Sequence, residues 1–269
     1  MTAREYAAAG LAVLRRDFQI AFSYKLAFVS QFLGLFFSLT LFYYVSRLVR
    51  VAVFDSADSY FAFVVVGLVI LQILNSTLQT PPGALRTEMV AGTLERLVIS
   101  PLGPVGSLVA AMLYPMVNAL VSGLVMLATA SLVFDLPVRW STAGLAIPMG
   151  VLGALAFAPF GLALMAVVLV VKQAASGVTW VVAGISLLAG LYFPVELLPD
   201  WISWASEIQP FTASVDLMRN ALVGTARHDP LWLDLSRVVG FAVVLLPLSL
   251  LALRRALLVS RRQGTIIEY

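Results

Sequence analysis

Apolar runs long enough to cross a bilayer recur along this chain, separated by short stretches where charge, proline and tryptophan collect. A spanning helix needs about 20 mostly apolar residues. Six segments approach that length, at residues 26–49, 60–79, 107–134, 143–171, 177–193 and 238–253, the last two being short. The pattern predicts an all-α membrane protein with six transmembrane helices. Residues 1–25 differ in kind. They carry Arg4, Glu5, Arg15, Arg16, Asp17 and Lys25, with Tyr6, Leu11, Leu14 and Phe18 at near-helical spacing opposite the arginines. That pattern lacks the compact apolar core of a signal peptide and reads as an amphipathic helix on the membrane surface.

Lysine and arginine orient the spans, because cytoplasmic loops carry the excess of both. With both termini inside, the cytoplasmic face holds Arg4, Arg15, Arg16, Lys25, Arg86, Arg96, Lys172, Arg254, Arg255, Arg261 and Arg262. The outer face holds Arg47, Arg50, Arg139, Arg219, Arg227 and Arg237. The loop at 80–106 is then cytoplasmic and the segment at 193–237 external.

These two segments are the irregular ones. The cytoplasmic loop opens on Pro81-Pro82, which predicts a break after the second span. A helix over 84–99 follows, with Leu85, Met89, Leu97 and Val98 facing inward and Arg86, Glu88, Glu95 and Arg96 facing water or a partner. Gly92-Thr93 bends it, and Pro101 and Pro104 end it. The external segment carries Pro194, Glu196, Pro199, Asp200, Trp201, Trp204 and Pro210. Asp200 is placed to N-cap a short helix after Pro199, Pro210 stops it, and a second piece over 213–222 follows. Trp201 and Trp204, three apart, share a face suited to the membrane interface. Both pieces are too short to span. They read either as re-entrant or interfacial helices, covered by protein at membrane depth, or as ordinary surface helices.

Composition narrows the chemistry. Hydrophobic residues make up 61% and charged residues 12%, about half the charge of a soluble domain. There is no cysteine, and the single histidine is His228, so thiol chemistry and histidine-based metal sites are excluded. The net charge of +3 is small and dispersed, which argues against nucleic acid. No G-x-x-x-x-G-K-[ST], H-E-x-x-H or G-x-S-x-G motif occurs. The spans carry almost no ionisable residue at mid-depth, which disfavours ion-coupled transport and intramembrane catalysis. Energy must come from elsewhere, or the chain is a passive scaffold or signalling subunit.

The pattern Glu88-x-x-x-Gly92-Thr93-Leu94-Glu95-x-Leu97, then Ser100-Pro101-Leu102, resembles the cytoplasmic loop of bacterial ABC-type exporter permeases of the type-2 class. Phe193-Pro194-x-Glu196-x-Leu198-Pro199-x-Trp201, then Gln209-Pro210-Phe211 and Arg219, is similar to that family's external segment. Ala213 stands where the family usually has a polar or aromatic residue. The resemblance covers the whole chain: a surface helix over 1–25 and a six-span permease domain over 26–269. It implies a non-enzymatic permease in the bacterial inner or plasma membrane, paired with a second, similar subunit, as a homodimer or a heterodimer. Two copies of a separate ABC-type ATPase would hold ATP and Mg, and this chain would bind no cofactor itself.

The resemblance further implies that Arg86, Glu88, Gly92, Thr93, Glu95 and Arg96 couple to the ATPase. Pro194, Glu196, Trp201, Trp204, Pro210, Phe211 and Arg219 would form the external gate, with Arg219 bracing it through Glu207 or Asp216. On the first span Phe36, Tyr43 and Tyr44 share a face that points either into a pathway or towards lipid. The cargo implied is a hydrophobic or amphipathic drug, antibiotic or lipid, with lipid-linked polysaccharide as the alternative.

Overall fold

The computed structural model describes residues 2–48, 53–93, 100–171, 175–225, 227 and 229–262. Among them there is no strand. The N-terminal helix α1 (Ala3–Ser23) opens with a capping box in which Thr2 Oγ1 accepts from the Glu5 amide and the Glu5 carboxylate accepts from the Thr2 amide. Its inward stripe differs from the predicted one. Leu14 and Phe18 pack inward, the Phe18 ring edge-on to Tyr114 at 5.0 Å, whereas Tyr6 and Leu11 are 50% and 66% exposed. Gly10 also faces the bundle, against Leu113.

Five helical segments are long and apolar enough to cross a membrane. The first lies in α2 (Lys25–Leu48). The second is one continuous rod, α3 (Ala57–Leu74), a π-turn (Asn75–Gln79) and α4 (Thr80–Val90). The third joins α5 (Gly103–Ala111) to α6 (Leu113–Val133). After the short α7 (Trp140–Ala143), the fourth is α8 (Ala146–Val171). The fifth lies in α12 (Leu231–Arg262), longer at both ends than the hydropathy predicts because Asp234, Arg237, Arg254 and Arg255 remain on the helix. Between them, α9 (Ala175–Leu188) is apolar but shorter than the predicted 177–193. It stops because Gly190 turns left-handed at φ 68° and the chain then runs into Pro194.

The predicted break at Pro81-Pro82 does not occur. Both prolines are buried in the first turn of α4, and the rod runs through them. The π-turn explains this. Thr80 donates its amide to the Asn75 carbonyl five residues back, so the α-ladder is already interrupted where Pro81 brings no N–H. The Thr77 carbonyl, which an amide at position 81 would have met, lies instead against Gly161 of α8, where a Cβ would stand 1.9 Å from it. Gly67 packs as closely, with a Cβ placed 2.0 Å from the Leu191 carbonyl. No G-x-x-x-G motif marks either contact; each glycine admits a neighbouring backbone singly.

The core is built around α8. Its middle meets α3 and α11 (Pro210–Val223), and its later part runs along α12. Leu85 and Met89 of α4 are buried on a floor made by Leu162, Met165 and Leu169 of α8 with Leu253 and Leu257 of α12. By contrast α2 lies at the edge. It is joined to α6 by one polar bridge, Gln31 Nε2 to Ser122 Oγ at 2.8 Å.

Candidate functional site

Two ends of the fold carry the residues that the sequence singles out. At the α4 end the helix closes in a Schellman motif. The Thr93 amide donates to the Glu88 carbonyl at 3.0 Å and the Gly92 amide to Met89 at 3.2 Å, with Gly92 left-handed at φ 68°. Thr93 Oγ1 also donates to the Glu88 carboxylate. So the turn at Gly92-Thr93 closes α4, which begins before the predicted helix over 84–99 and ends at Val90; residues 94–99 of that prediction lie outside the described residues. Arg86 and Glu88 are half-buried on its flanks, while Leu85 and Met89 anchor it as the spacing predicts. Glu95, Arg96, Leu97 and Val98 lie outside the described residues.

At the opposite end, a 3-10 turn (Val195–Leu197) and α10 (Asp200–Ile208) precede α11. Pro199, not Asp200, is the N-cap: its extended backbone sets up the turn and its carbonyl accepts the Ile202 and Ser203 amides, leaving Asp200 inside the first turn. Trp201 and Trp204 are 75% and 59% exposed on one face, with Trp204 Nε1 donating to the Trp201 carbonyl. Pro210 opens α11 rather than merely stopping α10, so α11 is longer than predicted.

The residues expected to act together as a gate fall into two groups. Glu196, Trp201 and Trp204 are on the surface, while Pro194, Pro210, Phe211 and Arg219 are inside. Phe211 packs its ring against Phe157 and Phe160 at 4.6 and 5.0 Å. The expected surface pairing of Arg219 with Glu207 or Asp216 is overturned as its main anchorage. Arg219 is 4% exposed, and its guanidinium lies 3.3 Å over the centre of the Phe63 ring. Its Nη2 donates to the carbonyls of Gly190 at 2.7 Å, Leu191 at 3.3 Å and Phe63 at 3.4 Å. The left-handed turn at Gly190 presents the Gly190 and Leu191 carbonyls, and the arginine ties α11 to both α3 and the end of α9. Burial lowers its pKa, opposed by Asp216 and then Glu196; a guanidinium remains cationic at neutral pH.

A second clasp was not foreseen from the sequence. The Arg139 amide donates to the Leu222 carbonyl at 2.7 Å and Thr142 Oγ1 to Ala221 at 2.6 Å. The Arg139 guanidinium occupies the space a side chain at Gly224 would need. A cation thus sits at the C-terminus of α11, where the helix dipole favours it. Nearby, Glu196, Glu207, Asp216, Asp229 and Asp234 line a cavity of about 120 Å³ with Arg237, which is ion-paired to Asp229. No group of residues suited to hold a metal ion occurs among the described residues.

On α2, Phe36 and Tyr43 both meet Phe134 of the α6 end, at 6.1 and 5.0 Å between ring centres, and Tyr43 also meets Phe61. Tyr44 is 62% exposed and touches Tyr43 edge-on.

An all-helical bundle with several membrane-length helices, an anchored terminal turn at one end and short packed helices at the other defines a polytopic membrane protein. The family model of the ABC-2 family transporter protein matches residues 50–251. The chain belongs to this family and is the permease component of an ABC transporter; membership implies an ABC ATPase partner. Comparison with curated proteins returns no match.

Proposed function

We propose that this permease is the membrane half of an ATP-driven exporter that moves a hydrophobic or amphipathic compound outward. The α4 end docks on the ATPase in the cytoplasm, where both termini lie, and α10–α11 face the exterior. The observation that carries this reading is the seating of α4. Leu85 and Met89 fix it to α8 and α12, while the closed turn at Gly92 and Thr93 presents Glu88 and Arg86 at its rim. A partner that pushes on this turn moves a rod reaching, without a break, to the outer half of the bundle.

Glu95 and Arg96 complete the docking surface. Two permease subunits pair as a homodimer, with two ATPase copies beneath, in the bacterial inner membrane. The exposed side of α2, including Tyr44, lines the pathway with Phe36 and Tyr43. The outer tryptophans anchor the exit helices at the interface, and Arg219 holds α11 shut against α3 and α9.

The test is co-reconstitution with the cognate ATPase in liposomes, reading ATP hydrolysis and movement of a fluorescent amphiphile together. Glu95→Lys combined with Gly92→Ala should leave ATP hydrolysis running while transport falls at least tenfold. Transport at the wild-type rate would move the docking site elsewhere.

A further inference from the structure

One cavity near the start of the chain has no assigned role. It holds about 410 Å³ between α1, α4, the α5–α6 junction and α8. Its floor is apolar, formed by Pro81, Leu85, Leu108, Pro115 and Met165. Its rim carries Arg16, Asp17, Thr80, Glu88 and Tyr114. The side chain of Arg16 is 57% exposed and donates Nε and Nη2 to Asp17 Oδ1, which keeps Nη1 open to an anion. The Glu88 carboxylate accepts from the neutral Thr93 hydroxyl. The rim therefore combines one guanidinium with two carboxylates around an apolar slot. Ile20 of α1 is 50% exposed beside it, and an amphipathic helix places such a side chain at the level of the lipid headgroups.

We infer that this cavity binds a membrane phospholipid with a primary-amine zwitterionic headgroup. The ammonium donates to Glu88, with Asp17 adding negative potential. The phosphate meets Arg16 and the Thr80 and Tyr114 hydroxyls. An acyl chain leaves past Ile20 over the apolar floor. An anionic headgroup without an amine leaves Glu88 facing like charge. A trimethylated ammonium offers the carboxylate no N–H. The site joins the surface helix to the flank of α4 and requires no nucleotide. It stands whether or not α4 docks an ATPase.

The test uses the full chain, delipidated in detergent and titrated by native mass spectrometry with phosphatidylethanolamine, phosphatidylcholine and phosphatidylglycerol of equal chain length. Phosphatidylethanolamine should bind about tenfold more tightly than either, a difference of the size one charge-assisted hydrogen bond supplies. Glu88→Gln should erase the preference, and Ala111→Trp, which fills the slot, should erase the tight binding itself. Unchanged thermal midpoints would show that both variants are folded. If Glu88→Gln is not folded, Asp17→Asn replaces it and should weaken the preference. Equal affinity for the three lipids, or a preference that survives Ala111→Trp, would overturn the site. Soluble phosphoethanolamine competing as well as the lipid would overturn the lipid assignment.

Discussion

The helical windows of α2 and of the α3–α4 rod are both apolar enough to cross a membrane, with mean hydropathies of 1.6 and 2.2. Their surroundings are opposite: 83% of the rod's window is buried inside the protomer against 6% for α2. The rod is enclosed by α6, α8 and α11 and takes two neighbouring backbones at glycine distance. The α2 helix meets its neighbours through aromatic edges, a glutamine–serine bond to α6 and an exposed Arg47–Asp58 ion pair to α3. Hydropathy measures solubility in lipid, and lipid and a protein interior are equally apolar. It cannot say which spanning helix is wrapped by its own chain and which is left for lipid or a partner.

The contrast breaks most readily at the close glycine contacts. Gly161→Val should cost about 3 kcal/mol or more, because the added carbons meet a backbone carbonyl that no rotamer change relieves. The expected result is loss of the monodisperse peak in fluorescence-detected size exclusion; a variant that elutes and melts normally would show that the π-turn and α8 are not in close contact. Next comes Arg219→Leu. It removes three charge-assisted contacts to carbonyls and should cost about 1.5–3 kcal/mol. Arg219→Lys should recover only part of it, since an ammonium lacks the planar stacking on Phe63. The thermal midpoint in detergent reads both.

Gly92→Val should cost about 1–2 kcal/mol by forcing a branched residue into a left-handed turn, and hydrogen exchange should rise at residues 88–93 before it rises in α8. Smallest is Leu41→Ala on the 60% exposed face of α2, expected within about 0.5 kcal/mol for the isolated protomer. A midpoint that falls as far as that of Arg219→Leu would mean α2 is not peripheral.

Much of the fold was legible in the sequence. Long apolar runs, a separate N-terminal helix and the pair of short helices after the fifth apolar segment all follow from local chemistry. The anchoring of α4 by Leu85 and Met89 was legible too, because four-residue spacing survives any tertiary context. What escaped was long-range. Arg219 carries no local sign that three carbonyls await it, since two lie at a turn some thirty residues earlier and the third lies on α3. The Arg139–Gly224 clasp joins two loops whose meeting depends on the whole bundle. Pro81-Pro82 misled for a related reason: proline predicts a break only where the α-ladder is intact, and here a wider turn had already opened it.

That wider turn has a further consequence. A π-turn takes up one residue more than an α-turn while the helix on either side keeps its facing. Counted at 3.6 residues per turn, the side chains beyond Gln79 would lie about 100° from where they stand. The bulge therefore gives the rod a slack of one residue between its enclosed N-terminal half and the turn at Gly92. Shortening the segment 75–79 by one residue would let it close into an ordinary turn with Leu85 and Met89 still in their seats. The same deletion anywhere in α3 would swing them off the floor. A bulge that migrated along the rod would rotate one stretch of helix against the next with both ends held. This would let a motion at one face of the membrane reach the other as a twist rather than a shove.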